Sequence, residues 1–200
     1  MATPALRRCA AAACAAIGSL VLPVAATAAS ETFHRFEAVA TANYTVTQAC
    51  PDGSTAQTLV TVIGGHEQES QSGETTLDSD FVTVLIRGFD CDGVLVNDRG
   101  SGPAEFTFSS SLRQAAVTGT ITTRDGHVVA VDVAWDGVGP LETTSNTTTF
   151  PGFTGHLRGA ERDAVATGTV VVDGETLVDG TTTNAEIETL EDRNVTTGAG

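Results

Sequence analysis

The chain has 200 residues, a formal charge of −15, 40% hydrophobic and 5% aromatic residues, and no lysine, all ten basic residues being arginine. A length of this order suits one domain. The charge argues against nucleic-acid binding, which needs a basic face to neutralise phosphates, and against docking on an anionic membrane surface.

The first element in chain order is an export signal. Arg7 and Arg8 precede an Ala-rich apolar run from Cys9 to about Ala26, and Ala26-Thr27-Ala28 places small residues where a signal peptidase cleaves. No basic stop-transfer cluster follows, so no stable membrane insertion is expected after removal. The expected organisation is a signal peptide over 1–28, a single β domain over 29–194 and a flexible tail over 195–200. Loss of Arg7 and Arg8 takes the formal charge to −17. The expected location is secreted and extracellular, and the lysine-free, Ala-rich composition points to a high-GC bacterial source. Cys50 and Cys91 then remain as a pair in an oxidising compartment, which predicts a disulfide. Closing a loop of that length is worth about 4 kcal/mol through chain entropy.

Beyond the signal the pattern has period two. His34, Phe36, Ala38, Ala40, Ala42, Tyr44 and Val46 share one face of an extended chain, opposite Arg35, Glu37, Thr41, Asn43, Thr45 and Thr47. The stretches 58–63 and 81–89 are apolar on both faces. Ala115, Val117, Gly119 and Ile121 alternate with threonines, and Val129, Val131, Val133 and Trp135 alternate with polar residues or alanine. Strands are expected near 32–48, 55–67, 80–90, 94–98, 104–110, 112–123, 127–136, 141–150, 161–172 and 183–191. Asp-Gly pairs at 52–53, 92–93, 125–126, 136–137, 173–174 and 179–180 supply the positive φ of tight hairpins. Gly64-Gly65 and Gly119, inside strand patterns, read as bulges or sharp bends. No window holds helical spacing. The predicted fold is all-β: an antiparallel meander of about ten strands closed as a full or partly open barrel, the alternative being a two-sheet sandwich. The segments 113–121 and 162–170 resemble each other in sequence, as two hairpins meeting the same geometric demand within one sheet would.

No catalytic, cofactor-binding or metal-binding motif is present: there is no GxSxG, HExxH, GxGxxG or phosphate-binding loop. His66-Glu67-Gln68-Glu69 opens a polar segment running to Asp80, read as a solvated loop. Asp78, Asp80, Asp90 and Asp92 lack the spacing of a calcium loop and read as an acidic rim. His34 and His127 read as lone strand histidines, and His156 as a loop residue. Thr118, Thr120 and Thr122, Thr143 to Thr149, and Thr167 with Thr169 read as soluble strand formers. Asn43, Asn146 and Asn194 open N-x-T sequences, which matter only in a glycosylating host. With one tryptophan, one tyrosine and eight phenylalanines, a barrel filled largely by alanine and valine is expected to leave an apolar cavity. Its expected lining is Phe106, Phe108, Val131, Val133 and Trp135, with Val129 beside them. The expected function is a non-catalytic binding module for a small apolar molecule or a cell-envelope component. The alternatives are a hydrolase- or isomerase-like enzyme on the same scaffold and a structural surface protein.

Overall fold

Branched residues alternating with polar ones suit a pleated, half-buried surface, and the chain uses that pattern over almost its whole length. A computed structural model describes residues 31–197, so the expected signal peptide lies outside the described residues. Ten strands follow in order: β1 (Glu31–Ala49), β2 (Thr55–Gln71), β3 (Glu74–Phe89), β4 (Leu95–Pro103), β5 (Glu105–Phe108), β6 (Gln114–Thr122), β7 (Val128–Gly137), β8 (Glu142–Phe150), β9 (Phe153–Val172) and β10 (Glu175–Thr196). They form one antiparallel sheet in the order β4-β3-β2-β1-β10-β9-β7-β6-β5, with β8 paired to β9 beyond the end of β7. The 113–121 and 162–170 segments fall on β6 and β9, the two neighbours of β7.

The sheet curls so that its two wings face each other. Val60 and Val62 of β2 and Val82 and Val84 of β3 are fully buried in one core with Phe106, Val117 and Ile121 of β5 and β6. The wings meet at one isolated bridge, Gly100–Thr123. Beside it Arg124 N donates to Arg99 O at 2.7 Å and Arg124 Nη2 to Asn97 O at 2.6 Å. Among the described residues no ladder of hydrogen bonds closes the sheet, so the barrel is partly open.

Glycine explains how the wings come so close. A Cβ on Gly64 would stand 2.8 Å from Val117 Cβ, and one on Gly119 would stand 3.0 Å from Ala104 Cβ. Both glycines lie in regular pairing, so the expected bulge or bend is replaced by contact across the core. The register breaks fall elsewhere, between Glu69 and Ser70, Thr176 and Val178, and Thr182 and Ala185. Gly53, Gly93, Gly126 and Gly174 take positive φ at hairpin turns as expected. Gly137 and Gly180 do not: both belong to strands, and a Cβ on Gly137 would strike the carbonyl of Leu112.

Two expected loops are strand. The polar stretch 68–79 continues β2 and β3 to a turn at Ser72-Gly73, whose φ values are +52° and +89°. His156 lies inside β9, which starts at Phe153 because β8 and β10 pair with it from its first residue. β10 runs to Thr196, into the expected tail. Cys50 and Cys91 are bonded with Cα atoms 5.4 Å apart, joining the β1–β2 turn to the β3–β4 turn. Among the described residues no helix is long and apolar enough to cross a membrane.

Candidate functional site

Five strands overshoot the packed core at one end. There β4 has left β3 at Phe81, and β8 is exposed throughout, so the strands β3-β2-β1-β10-β9-β8 form an open mouth with two uncovered edges. Strand alternation carries the core-facing parity outward along each strand. Ala38, Ala40 and Ala42 continue to Phe36 and His34 on β1. Val62 and Gly64 continue to His66 on β2, and Val82 to Asp80 and Asp78 on β3. Ile187 continues through Thr189 to Glu191 and Arg193 on β10, and Arg162 to Ala160, Arg158 and His156 on β9.

The floor of the mouth is aromatic. Phe106 and Phe36 both stack on Phe108 with centroids 5.9 Å away, and the His66 ring lies 6.3 Å from Phe36 and 6.5 Å from Phe108. Phe106 is buried, whereas Phe36 and Phe108 are only partly covered. His66 and Asp80 are cross-strand partners, and their Nδ1 and Oδ1 atoms are 2.8 Å apart. Asp78 Oδ1 lies 3.9 Å from His66 Nε2. The second oxygen of Asp80 accepts from Phe106 N at 3.4 Å, so one carboxylate fixes both the imidazole and the start of β5. Across the mouth Glu191 Oε1 is 3.1 Å from His34 Nε2, and Thr147 Oγ1 is 3.1 Å from His156 Nδ1. A cleft of about 370 Å³ opens between Phe36, Thr143, Ser145, Arg158, Thr189 and Glu191. It combines an aromatic wall with donors and acceptors, the make-up of a small-ligand site.

The convex side of the same strands is acidic. Burial raises the Glu188 carboxyl above its ordinary range, and the neighbouring Glu186, Glu161 and Glu37 raise it further. Arg35 engages Glu67 at 2.6 Å there.

The residues singled out in the sequence fall in several places. Phe106, Val129, Val131, Val133 and Trp135 are buried in the core, and Trp135 Nε1 donates to Thr41 O at 2.9 Å. Phe108 leaves that group for the floor of the mouth. A cleft of about 380 Å³ touches Phe108 and Trp135 but opens past Thr107, Ala116 and Ala134 to solvent. Asp78 and Asp80 lie at the opposite end of β3 from Asp90 and Asp92, so the four aspartates do not form one rim. Asp90 Oδ1 instead accepts from the backbone N of Asp92 and Val94 at 2.9 and 2.8 Å. Among the described residues no group of three or more histidine, cysteine or acidic side chains is placed to hold a metal ion. Nor are the histidines lone: His127 contacts Asp173 at 2.6 Å beside the β6–β7 turn. The threonine rows form no continuous ladder, because Asp132 and Ala130 of β7 stand between Thr118 and Thr120 and the threonines of β9. The mouth's Phe36, Arg158, Glu191 and Arg193 carried no motif. Only the register of three strands, β1, β10 and β9, brings them to one face.

No protein-family model matches the chain, and no curated protein does. A crystal structure from Nitrosomonas europaea, provisionally described as AttH, is similar over 82% of this chain at 13% identity and a TM-score of 0.26. The chain spans about half of that protein, 52% of its length, and a likeness at this level carries no argument about activity.

Proposed function

We propose that the protein is a secreted, non-catalytic binding module that holds a small molecule with an apolar part in the open mouth of the barrel. One observation carries this reading: Phe36 and Phe108 stack beside His66 on the mouth's floor and remain partly uncovered, and Phe36 lines a cleft of about 370 Å³. Aromatic surface left open in this way gains free energy when a ligand removes it from water, about 25 cal/mol per Å². The Cys50–Cys91 bond is compatible with an extracellular or periplasmic protein, which supports the secreted part of the proposal. Titration with N-phenyl-1-naphthylamine, whose fluorescence rises in apolar surroundings, tests it. Native protein should enhance the emission, and Phe36→Ala with Phe108→Ala should lower the affinity several-fold. No enhancement by the folded protein overturns the reading.

The His66–Asp80 contact favours a second reading, acid–base chemistry at His66. Among the described residues no serine, threonine or cysteine hydrogen-bonds His66, so no nucleophile is framed beside it. A ligand whose bonds are altered by the native protein and left intact by His66→Gln would replace the first reading with the second.

A further inference from the structure

We infer that the molecule held in the mouth is an amphipathic anion, its negative group at Arg158 and Arg193 and its apolar part against Phe36 and Phe108. This rests on the reading of the mouth as a binding site and adds the ligand's charge. The register carries the argument. One row of paired residues on the concave face runs His34, Arg193, His156 across β1, β10 and β9, and the next runs Phe36, Glu191, Arg158. Two arginines therefore stand on adjacent rows of one concave face, and Arg158 lines the same cleft as Phe36.

What sets Arg158 and Arg193 apart from other arginines without a carboxylate partner, such as Arg87 and Arg113, is their place on the concave face beside Phe36. Among the described residues no carboxylate lies within 4.0 Å of Arg158 or Arg193. Glu191 is the cross-strand partner of Arg158, but its Oε1 is 3.1 Å from His34 instead. Glu161, Glu186, Glu188 and Asp192 of these strands project from the convex face. Both planar guanidinium forks thus remain open to an incoming carboxylate, sulfate or phosphate, whose paired oxygens they bind bidentately. The neighbouring imidazoles of His34 and His156 add hydrogen-bonding capacity. A cationic ligand would meet these two arginines, while Glu191 is engaged by His34 and Asp80 by His66.

Two probes that share a ring system and differ in one sulfonate separate this inference from the reading beneath it. Oxidised full-length protein is titrated with 1-anilinonaphthalene-8-sulfonate and with the neutral N-phenyl-1-naphthylamine. The sulfonate should bind about tenfold tighter, the factor that 1.4 kcal/mol supplies. Arg158→Gln with Arg193→Gln should reduce it close to the affinity of the neutral probe, a loss several-fold larger than any the neutral probe suffers. Raising the salt on wild-type protein should weaken only the sulfonate, a check that needs no variant to fold. Equal affinities of the two probes in wild type overturn the inference and leave the binding module standing; binding of neither overturns both. Flotation with vesicles of phosphatidylglycerol distinguishes a free amphiphile from a membrane headgroup. No co-flotation is expected, and co-flotation at physiological salt overturns the free-ligand assignment.

Discussion

Leu112 offers a test of how the core is sealed where β5 turns into β6. It is fully buried, yet its φ of +51° lies in the left-handed region that leucine rarely adopts. Its N donates to Ser109 O at 2.8 Å, and the turn plugs the side chain into the end of the barrel. Leu112→Ala removes a fully buried side chain and should cost about 3 kcal/mol, within the 2–5 kcal/mol such truncations span. For a domain of this size that lowers Tm by roughly 10 °C. Leu112→Gly removes one carbon more, but relieves a left-handed penalty of about 1–2 kcal/mol against an added chain entropy of about 0.5–1 kcal/mol. The glycine variant should therefore match or exceed the alanine variant, the reverse of their order at an ordinary strand position. Urea unfolding followed by Trp135 fluorescence measures both. A loss below about 1 kcal/mol for Leu112→Ala would falsify the burial argument. A glycine variant more than about 1 kcal/mol below the alanine variant would refute the backbone argument.

Four further outcomes are expected. Replacing Cys50 and Cys91 by alanine should lower stability by about 4 kcal/mol by freeing a 41-residue separation in the unfolded chain; intact mass before and after reduction establishes the bond, and denaturant midpoints give the loss. Gly126→Val forces a branched side chain into φ +95° and should cost about 1 kcal/mol or more, with an unchanged midpoint counting against the Asp125-Gly126 hairpin. Gly64→Ala places a methyl 2.8 Å from Val117 Cβ and should cost about 1–3 kcal/mol by overpacking, measured by thermal unfolding. The Asp173 hydrogen bond and charge raise the His127 pKa, and the reciprocal hydrogen bond lowers that of Asp173. The pair thus stabilises only between the two: the contribution fades as pH rises through the raised histidine value and as it falls through the lowered aspartate value. NMR titration should place His127 above the ordinary histidine range, and Asp173→Asn should return it there.

Much of the fold was legible because period-two patterning and turn chemistry are local. The alternation from His34 to Val46 and from Val129 to Trp135 identified the buried faces of β1 and β7 directly, and Asp125-Gly126 located a hairpin. Errors arose where local signals mislead. The 68–79 segment is polar on both faces, which resembles a loop; its strands persist because β1 supplies a partner through Gln71. Gly64 and Gly119 resembled bulges, since a missing side chain in sequence does not reveal the opposing wing that requires its absence. The disulfide followed from counting cysteines. The mouth did not, because His66 meets Asp80 across a hairpin whose polar strands resemble a loop, and Arg158 shares a row with Phe36 only through β10. The aromatic residues expected around a cavity pack the core instead, apart from Phe108, which leaves for the mouth.

The strand order also dictates how the molecule assembles. Residues 31–103 make one meander and 105–196 the rest of the sheet, and the ladder that joins the two runs along β1 and β10, where Glu31 is paired with Thr196. That seam couples the beginning of the sheet to its end, the most distant contact the chain makes, and loop-closure entropy delays such contacts relative to local ones. The halves can form early, but the barrel cannot complete itself until the last strand has been synthesised. Until then β1 presents an unpaired edge along its whole length, and the chain stays threadable. Because Glu31 and Thr196 are adjacent in the finished sheet, a permuted domain that links them and opens at Pro103–Glu105 would form the seam first, as a local hairpin. It should fold faster than the natural order while reaching the same structure.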